Sequence, residues 1–247
     1  MRLRKVLVIG GTGLARELAE WLQASGVDVV LSLAGVTREP VLPDVPVRQG
    51  GFGGARGLAD YLIQENFNAV VDATHPFAAH ISRSAAAVAS SMTLPIIRLE
   101  DPPWRASEGD QWLATQGPNE AAAILPAGAR VLLTTGRRNL EPFLSRHDIG
   151  GIVRCIEPPD EAIEPPWRLL LSRPPFTLEQ EKDHLSRERI TALVAKNSGG
   201  KVMRAKLDAA RSLGIPVIMI ERPEKPAVPT VAAVDEVLRW LQDAEAR

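Results

Sequence analysis

Short runs of β-branched and aliphatic residues alternate with amphipathic stretches along almost the whole chain, and this rhythm constrains the fold more than any other feature. The runs are Val6 to Ile9, Val27 to Leu33, Ala69 to Val71, Ile96 to Leu99, Val131 to Thr135, Leu169 to Ser172, Leu193 to Ala195 and Val217 to Ile220. Runs that are apolar nearly throughout predict strands buried on both faces, as parallel sheets require. Helical spacing lies between them, over Leu14 to Ala24, Ala79 to Ala89 and Val202 to Leu213, the last closed by Gly214 and followed by Pro216. The expected class is α/β, with doubly wound Rossmann-like or flavodoxin-like sheets covered by helices on both faces.

The rhythm also repeats. LPIIRLEDPPW near Leu94 echoes IPVIMIERPEKP near Ile215, and each is followed by a helical segment, NEAAAIL and VDEVLRWL; VLVIGGTG at the start is echoed by VLLTTGRR at Val131. Two related halves are expected, 1–127 and 128–247, meeting near Pro126 to Ala129, with terminal helices open to exchange between them. An interdomain cleft facing the carboxyl ends of both sheets is the expected ligand site.

At 247 residues and 45% hydrophobic, the chain can fill two cores. With 29 basic against 30 acidic residues its net charge is -1, so the surface as a whole attracts neither nucleic acid nor an anionic membrane. Any anionic ligand must be held by local clusters. The single cysteine, Cys155, excludes an internal disulfide and a thiolate metal cluster, no metal is expected, and a reducing cytoplasm is the expected home. The apolar run within MRLRKVLVIGG is too short for a signal core or a membrane span and reads as a buried first strand.

That first strand runs into Gly10-Gly11-Thr12-Gly13 and then a helix, where glycines allow close approach and free N–H groups favour phosphate. The G-x-G-x-x-G pattern is incomplete, since Arg16 stands at the third glycine, and a ligand-free tight turn is the other reading. About twenty residues on, where an acid would meet the ribose of NAD, the chain reads Leu33-Ala34-Gly35-Val36-Thr37-Arg38. For a dinucleotide on this half, the missing acid and Arg38 favour NADPH, and a solvated loop arginine is the other reading. At Asp72-Ala73-Thr74-His75-Pro76-Phe77-Ala78, Pro76 is placed at the first helical position, with Thr74 or His75 as cap and both directed into the strand-end crevice. His75 is thus a candidate proton donor or polar anchor, against a plain capping role; His80, His147 and His184 fall on helical or charged stretches.

Three strand ends of the second half carry unusual groups: Thr134-Thr135-Gly136-Arg137-Arg138, Ser172-Arg173-Pro174-Pro175-Phe176, and Lys196-Asn197-Ser198-Gly199-Gly200-Lys201. The last can present backbone donors, a hydroxyl and Lys196 to an anion, where a simple glycine turn would need neither lysine nor asparagine. Arg137, Arg173, Lys196, Lys201 and Arg222 recur at strand ends as a polyanion ligand would require, although scattered surface arginines are the plainer account.

Taken together, GGTGLARELA, VLSLAG, DATHPFAAHIS, LLTTGR, LLSRPPF, LVAKNSGG, AKLDAAR and GIPVIMIERP resemble the corresponding blocks of the precorrin-6A reductase family, from about Val6 to Pro223. The resemblance implies an oxidoreductase that uses NADPH to reduce one double bond of the precorrin-6A macrocycle to precorrin-6B, on the way to cobalamin. Under it, Gly10, Gly11, Thr12, Gly13, Arg38, Thr135, Gly136, Arg137, Asn197, Ser198, Gly199 and Gly200 are expected at the cofactor, Thr74, Ser172, Arg173, Lys201 and Arg222 at the substrate, and His75 and Lys196 at the chemistry. It implies a tetrapyrrole substrate, transient contact with other enzymes of the corrin pathway, and no nucleic-acid or membrane partner. A two-lobed tetrapyrrole cyclase or an NADPH-sensing regulator would share the loops. A short-chain dehydrogenase is disfavoured, because the only tyrosine, Tyr61, is followed four residues on by Glu65 where that class has lysine.

Overall fold

The computed structural model describes residues 5–35 and 42–245. The chain forms two compact units, the first made of the chain up to Pro102 and again from Pro223, the second of Pro103–Arg222.

In the first unit, β1 (Lys5–Ile9), β2 (Asp28–Leu33), β3 (Val47–Gln49), β4 (Ala69–Asp72), β5 (Ile96–Leu99) and β12 (Thr230–Val231) form one sheet ordered β12-β5-β4-β1-β2-β3. Every pairing is parallel, with Leu7 opposite Val30 on one side and Val70 on the other. Successive β1 side chains enter opposite cores. Val6 and Val8 pack with α1 (Gly13–Ala24) and α8 (Val234–Glu245), while Leu7 and Ile9 pack with α2 (Ala55–Gln64) and α3 (Ala79–Ser91). Helix α1 turns Ala15, Leu18, Ala19 and Leu22 inward, the spacing of one helical face.

The second unit repeats the plan. Its strands β6 (Trp112–Thr115), β7 (Arg130–Thr134), β8 (Gly150–Cys155), β9 (Trp167–Leu171), β10 (Ala192–Lys196) and β11 (Val217–Ile220) are ordered β6-β11-β10-β7-β8-β9, again parallel throughout. Helices α4 (Pro118–Ala123), α5 (Glu141–Leu144), α6 (Leu178–Arg187) and α7 (Ala205–Ser212) accompany them. A buried ion pair, Arg154 to Glu181 through two 2.9 Å bonds, fastens β8 to α6.

Matched strand for strand, β7, β8, β9, β10 and β11 take the places of β1, β2, β3, β4 and β5, and the strand order switches sides between β1 and β4 in one sheet and between β7 and β10 in the other. The sixth place is filled crosswise. Strand β6, which follows β5 in the chain, pairs with β11, and β12, which follows β11, pairs with β5. This corrects the expected boundary at 127–128. Residues 103–127 belong to the second unit because Val217 to Ile220 bond in register to Trp112 to Thr115, and residues 223–247 belong to the first because Thr230 and Val231 pair with Arg98 and Leu99. Helix α4 goes with β6 in the second unit and helix α8 with β12 in the first. Among the described residues no helix is long and apolar enough to cross a membrane, and no group of three His, Cys, Asp or Glu is placed to hold a metal.

Candidate active site

In each unit the strand order switches sides, between β1 and β4 and between β7 and β10, and doubly wound folds bind ligands in the crevice at the carboxyl ends of such strands. In the first unit the glycine turn follows β1. Thr12 caps α1, its hydroxyl accepting from the Ala15 N–H (3.0 Å) and donating to the Ala73 carbonyl (3.1 Å). Gly11 and Gly13 are exposed, and a Cβ at Gly13 would meet nothing within 4 Å. Gly10 differs: its φ is +145°, and a Cβ would stand 2.2 Å from the Ala73 oxygen. Packing of β1 against the end of β4 therefore explains this glycine without a ligand. The Arg16 guanidinium folds back over the turn and donates to the Gly11 carbonyl at 3.0 Å. Arg38 lies outside the described residues.

Beyond β4, Asp72 is 1% exposed and accepts from the Thr74 hydroxyl (2.7 Å), the Thr74 N–H (3.3 Å) and Arg98 Nε (3.0 Å). Burial pushes this carboxyl up, yet the Thr74 hydroxyl, then Lys225, Ser82 and Arg98, outweigh it and hold the pKa below the ordinary value. Thr74 is only 6% exposed, and its hydroxyl is shared between Asp72 and Ser82 (3.1 Å), so it does not enter the crevice as expected. The helix start also differs, since α3 begins at Ala79. His75 to Ala78 form a turn closed by Ala78 N–H to the His75 carbonyl (2.8 Å), with Pro76 at its first corner. His75 is exposed, and its Nδ1 accepts the Phe77 N–H at 3.2 Å, which places the proton of the neutral ring on Nε2.

In the second unit the pairings Ala195 with Thr134 and Leu133 with Val153 continue past the strands and bring Lys196, Thr135 and Cys155 abreast, with Leu171 beside Cys155 and Ser172 following. Thr135 is 4% exposed, and its hydroxyl, like that of Ser172, has no hydrogen-bond partner among the described residues. Burial lifts the Cys155 thiol to about 11 against the pull of Arg137 and Lys196, so it stays protonated at neutral pH. Burial, then repulsion from Arg138, lowers the Lys196 pKa. Gly136 is exposed, with φ +85° and open space for a Cβ. Arg137 lies 3.6 Å from Asp160 and Arg173 3.8 Å from Glu157.

The loop after β10 departs most from the sequence reading. Asn197 is 3% exposed and its amide is taken up by the chain itself: Oδ1 accepts the Trp104 N–H (2.8 Å), while Nδ2 donates to the Trp104 carbonyl and to Glu221, both at 3.2 Å. It therefore braces the loop and is not directed at a ligand. Arg222 likewise donates to the carbonyls of Asn197 (2.8 Å) and Ser198 (3.0 Å). Ser198 donates to the Lys196 carbonyl at 3.4 Å, and Gly199 and Gly200 take φ of +73° and +81°, which turn the chain back. Lys201 is exposed in the turn before α7, which starts at Ala205 and not at Val202. The sequence reading missed Asp72 as an anchor, Trp104 as a partner of the loop, and Glu157 at the end of β8. Glu157 stands 21 residues after Gly136, at the ribose-acid spacing, and that count was the available signal.

Two parallel, doubly wound units whose reversal points carry a capped glycine turn and a cationic row define a two-unit Rossmann-type α/β protein. The family model "Precorrin-6x reductase CbiJ/CobK" matches residues 5–242. A precorrin-6A reductase of Rhodococcus erythropolis is 45% identical over 242 residues, covering 97% of this chain and 98% of the relative. One of Mycobacterium tuberculosis is 46% identical over 250 residues, covering 99% and 100%. The solved structure named CobK precorrin-6A reductase superposes with a TM-score of 0.92 at 42% identity, covering 97% of this chain and 96% of that one. The chain belongs to the precorrin-6x reductase CbiJ/CobK family.

Proposed function

We propose that the protein reduces precorrin-6A to precorrin-6B in cobalamin biosynthesis with hydride from NADPH, the first unit holding the cofactor and the second the macrocycle. The observation that carries the assignment is the difference between the two strand-end crevices. In the first unit a twelve-residue helix starts from an open glycine turn, so the N–H groups of α1 can receive a pyrophosphate. The corresponding α5 is a single turn of four residues with Glu141 in it, a poor phosphate site. Past β2 the chain continues as Ala34-Gly35 with no acid, which accommodates a ribose phosphate, whereas Glu157 occupies that place in the second unit. The free space at Gly13 and the folded-back Arg16 fit the cofactor's phosphates.

The second unit's edge suits a ring bearing many carboxylates. Lys196, Arg137 and Arg173 supply charge, and the Thr135 and Ser172 hydroxyls supply donors. When bound, the nicotinamide supplies a hydride, and the protein's part is to hold the reacting carbons in contact and exclude water. A proton must reach the neighbouring ring carbon, and His75 Nε2 and the Lys196 ammonium are the side chains offered for it. An anaerobic assay of NADPH oxidation with precorrin-6A tests the reading. Substrate-dependent oxidation is expected, preferring NADPH over NADH; no consumption of either cofactor would overturn it.

A further inference from the structure

The chain passes between its units twice, at Pro102–Pro103 and at Arg222–Pro223. The residues flanking both crossings are bonded to the loop that follows the fourth strand of a sheet. In the second unit Asn197 holds Trp104 by both its N–H and its carbonyl, the Trp104 indole donates to the Gly200 carbonyl (2.8 Å), and Arg222 holds the carbonyls of Asn197 and Ser198. In the first unit Lys225 donates to Glu100 (2.7 Å) and to the His75 carbonyl (3.4 Å). Glu100, Trp104, Arg222 and Lys225 lie within three residues of a crossing, and each is tied to a candidate ligand loop or to a residue that holds one.

We propose that Asn197, acting with Arg222, is a positioning residue that couples occupation of the Lys196–Gly200 loop by a polycarboxylate ring to the setting of both crossing segments. This rests on the reading of that loop as a ligand edge. Asn197 is suited to the part because both amide hydrogens and the amide oxygen are engaged, so the loop cannot shift without releasing Trp104. Two segments joined by desolvated bonds move as one element with discrete arrangements, and a ligand that prefers one arrangement of the loop selects the matching crossing. By reciprocity the crossing alters ring affinity by the same factor.

Hydrogen exchange on the full chain tests this in two arms. Without ligand, Asn197→Ala should speed exchange at Trp104 and across 221–225 by about tenfold or more, the loss expected when one net hydrogen bond or more is removed, with distant strands unchanged. Asn197→Asp keeps the oxygen that accepts the Trp104 N–H but cannot donate to the Trp104 carbonyl or to Glu221, and should speed exchange as Asn197→Ala does. With precorrin-6A, the wild type should gain protection both at 196–200 and at Trp104, and Asn197→Ala only at 196–200, with KM raised more than kcat is lowered. If Asn197→Ala does not fold, Trp104→Phe, which removes the indole bond to Gly200 and keeps a ring against Lys206, serves in both arms. Unchanged exchange at Trp104 and 221–225 in the ligand-free variants, or ring protection of the loop without Trp104 in the wild type, overturns the coupling. A ring that protects neither segment while the ligand-free arm behaves as stated refutes the loop as a ligand edge and leaves the mechanical tie standing.

Discussion

Replacing Asp72 should destabilise the first unit more than almost any other single polar change. The carboxylate is 1% exposed and accepts three bonds, one from Arg98, whose own side chain is 9% exposed and whose Nη2 has no hydrogen-bond partner among the described residues. Asp72→Asn keeps the volume but removes the charge that offsets a buried guanidinium. Breaking one side of such a pair costs about 3–5 kcal/mol. For a chain of this size each kcal/mol is about 2–4 °C in Tm, so a fall of roughly 6–20 °C is expected by calorimetry. Arg98→Met in the Asp72→Asn background should recover much of it, since no buried charge is then left unpaired. The pH dependence has a definite sign. The folded pKa lies below the unfolded value of about 3.9, so the contribution is complete above that value and is lost as pH falls through the folded pKa. A Tm within about 2 °C of wild type for Asp72→Asn, or no gain on adding Arg98→Met, would refute the reasoning.

Lys206, 3% exposed and 5.3 Å from the Trp104 ring centre, has its pKa pushed down to about 8 by burial, then by Arg154, against Glu181. Because the folded state holds its proton less tightly, stability should rise as pH climbs from about 8 to about 10.4, and Lys206→Met should raise Tm at pH 7 by relieving about 3 kcal/mol; a lower Tm contradicts this. Gly13→Asp should fold normally, with open space at that position, but raise KM for NADPH about tenfold to a hundredfold while leaving KM for precorrin-6A unchanged. Lys196→Ala should do the opposite, raising KM for the macrocycle alone, and the same kinetics read in the reverse pattern would exchange the roles of the two units. Cys155, with its thiol near 11, should resist iodoacetamide at pH 7.5; rapid stoichiometric alkylation would place it in a different environment.

Strands β5 and β11 coincide with the apolar runs read from the sequence, and β1, β4 and β10 differ from theirs by a residue at one or both ends, because a strand buried on both faces is apolar at nearly every position. Unlike the THPF segment, which reads as a capped helix start and folds as a turn ahead of α3, the glycine turn and the cationic strand ends were equally legible, since each depends on residue types a few positions apart. The unit boundary was not: β6 is a short edge strand with Leu113 half exposed, and its assignment depends on Val217 to Ile220, about a hundred residues away. Nor were the roles of Thr74 and Asn197. An asparagine in a glycine-rich loop and a threonine after a strand present the same donors to a ligand as to the chain, and only the tertiary structure, by bringing Trp104 to Asn197 and Ser82 to Thr74, decided which partner each one meets. Local sequence sets what a backbone segment can become and which groups it can offer; the partners that use up those groups are chosen by long-range packing, which carries no local signature.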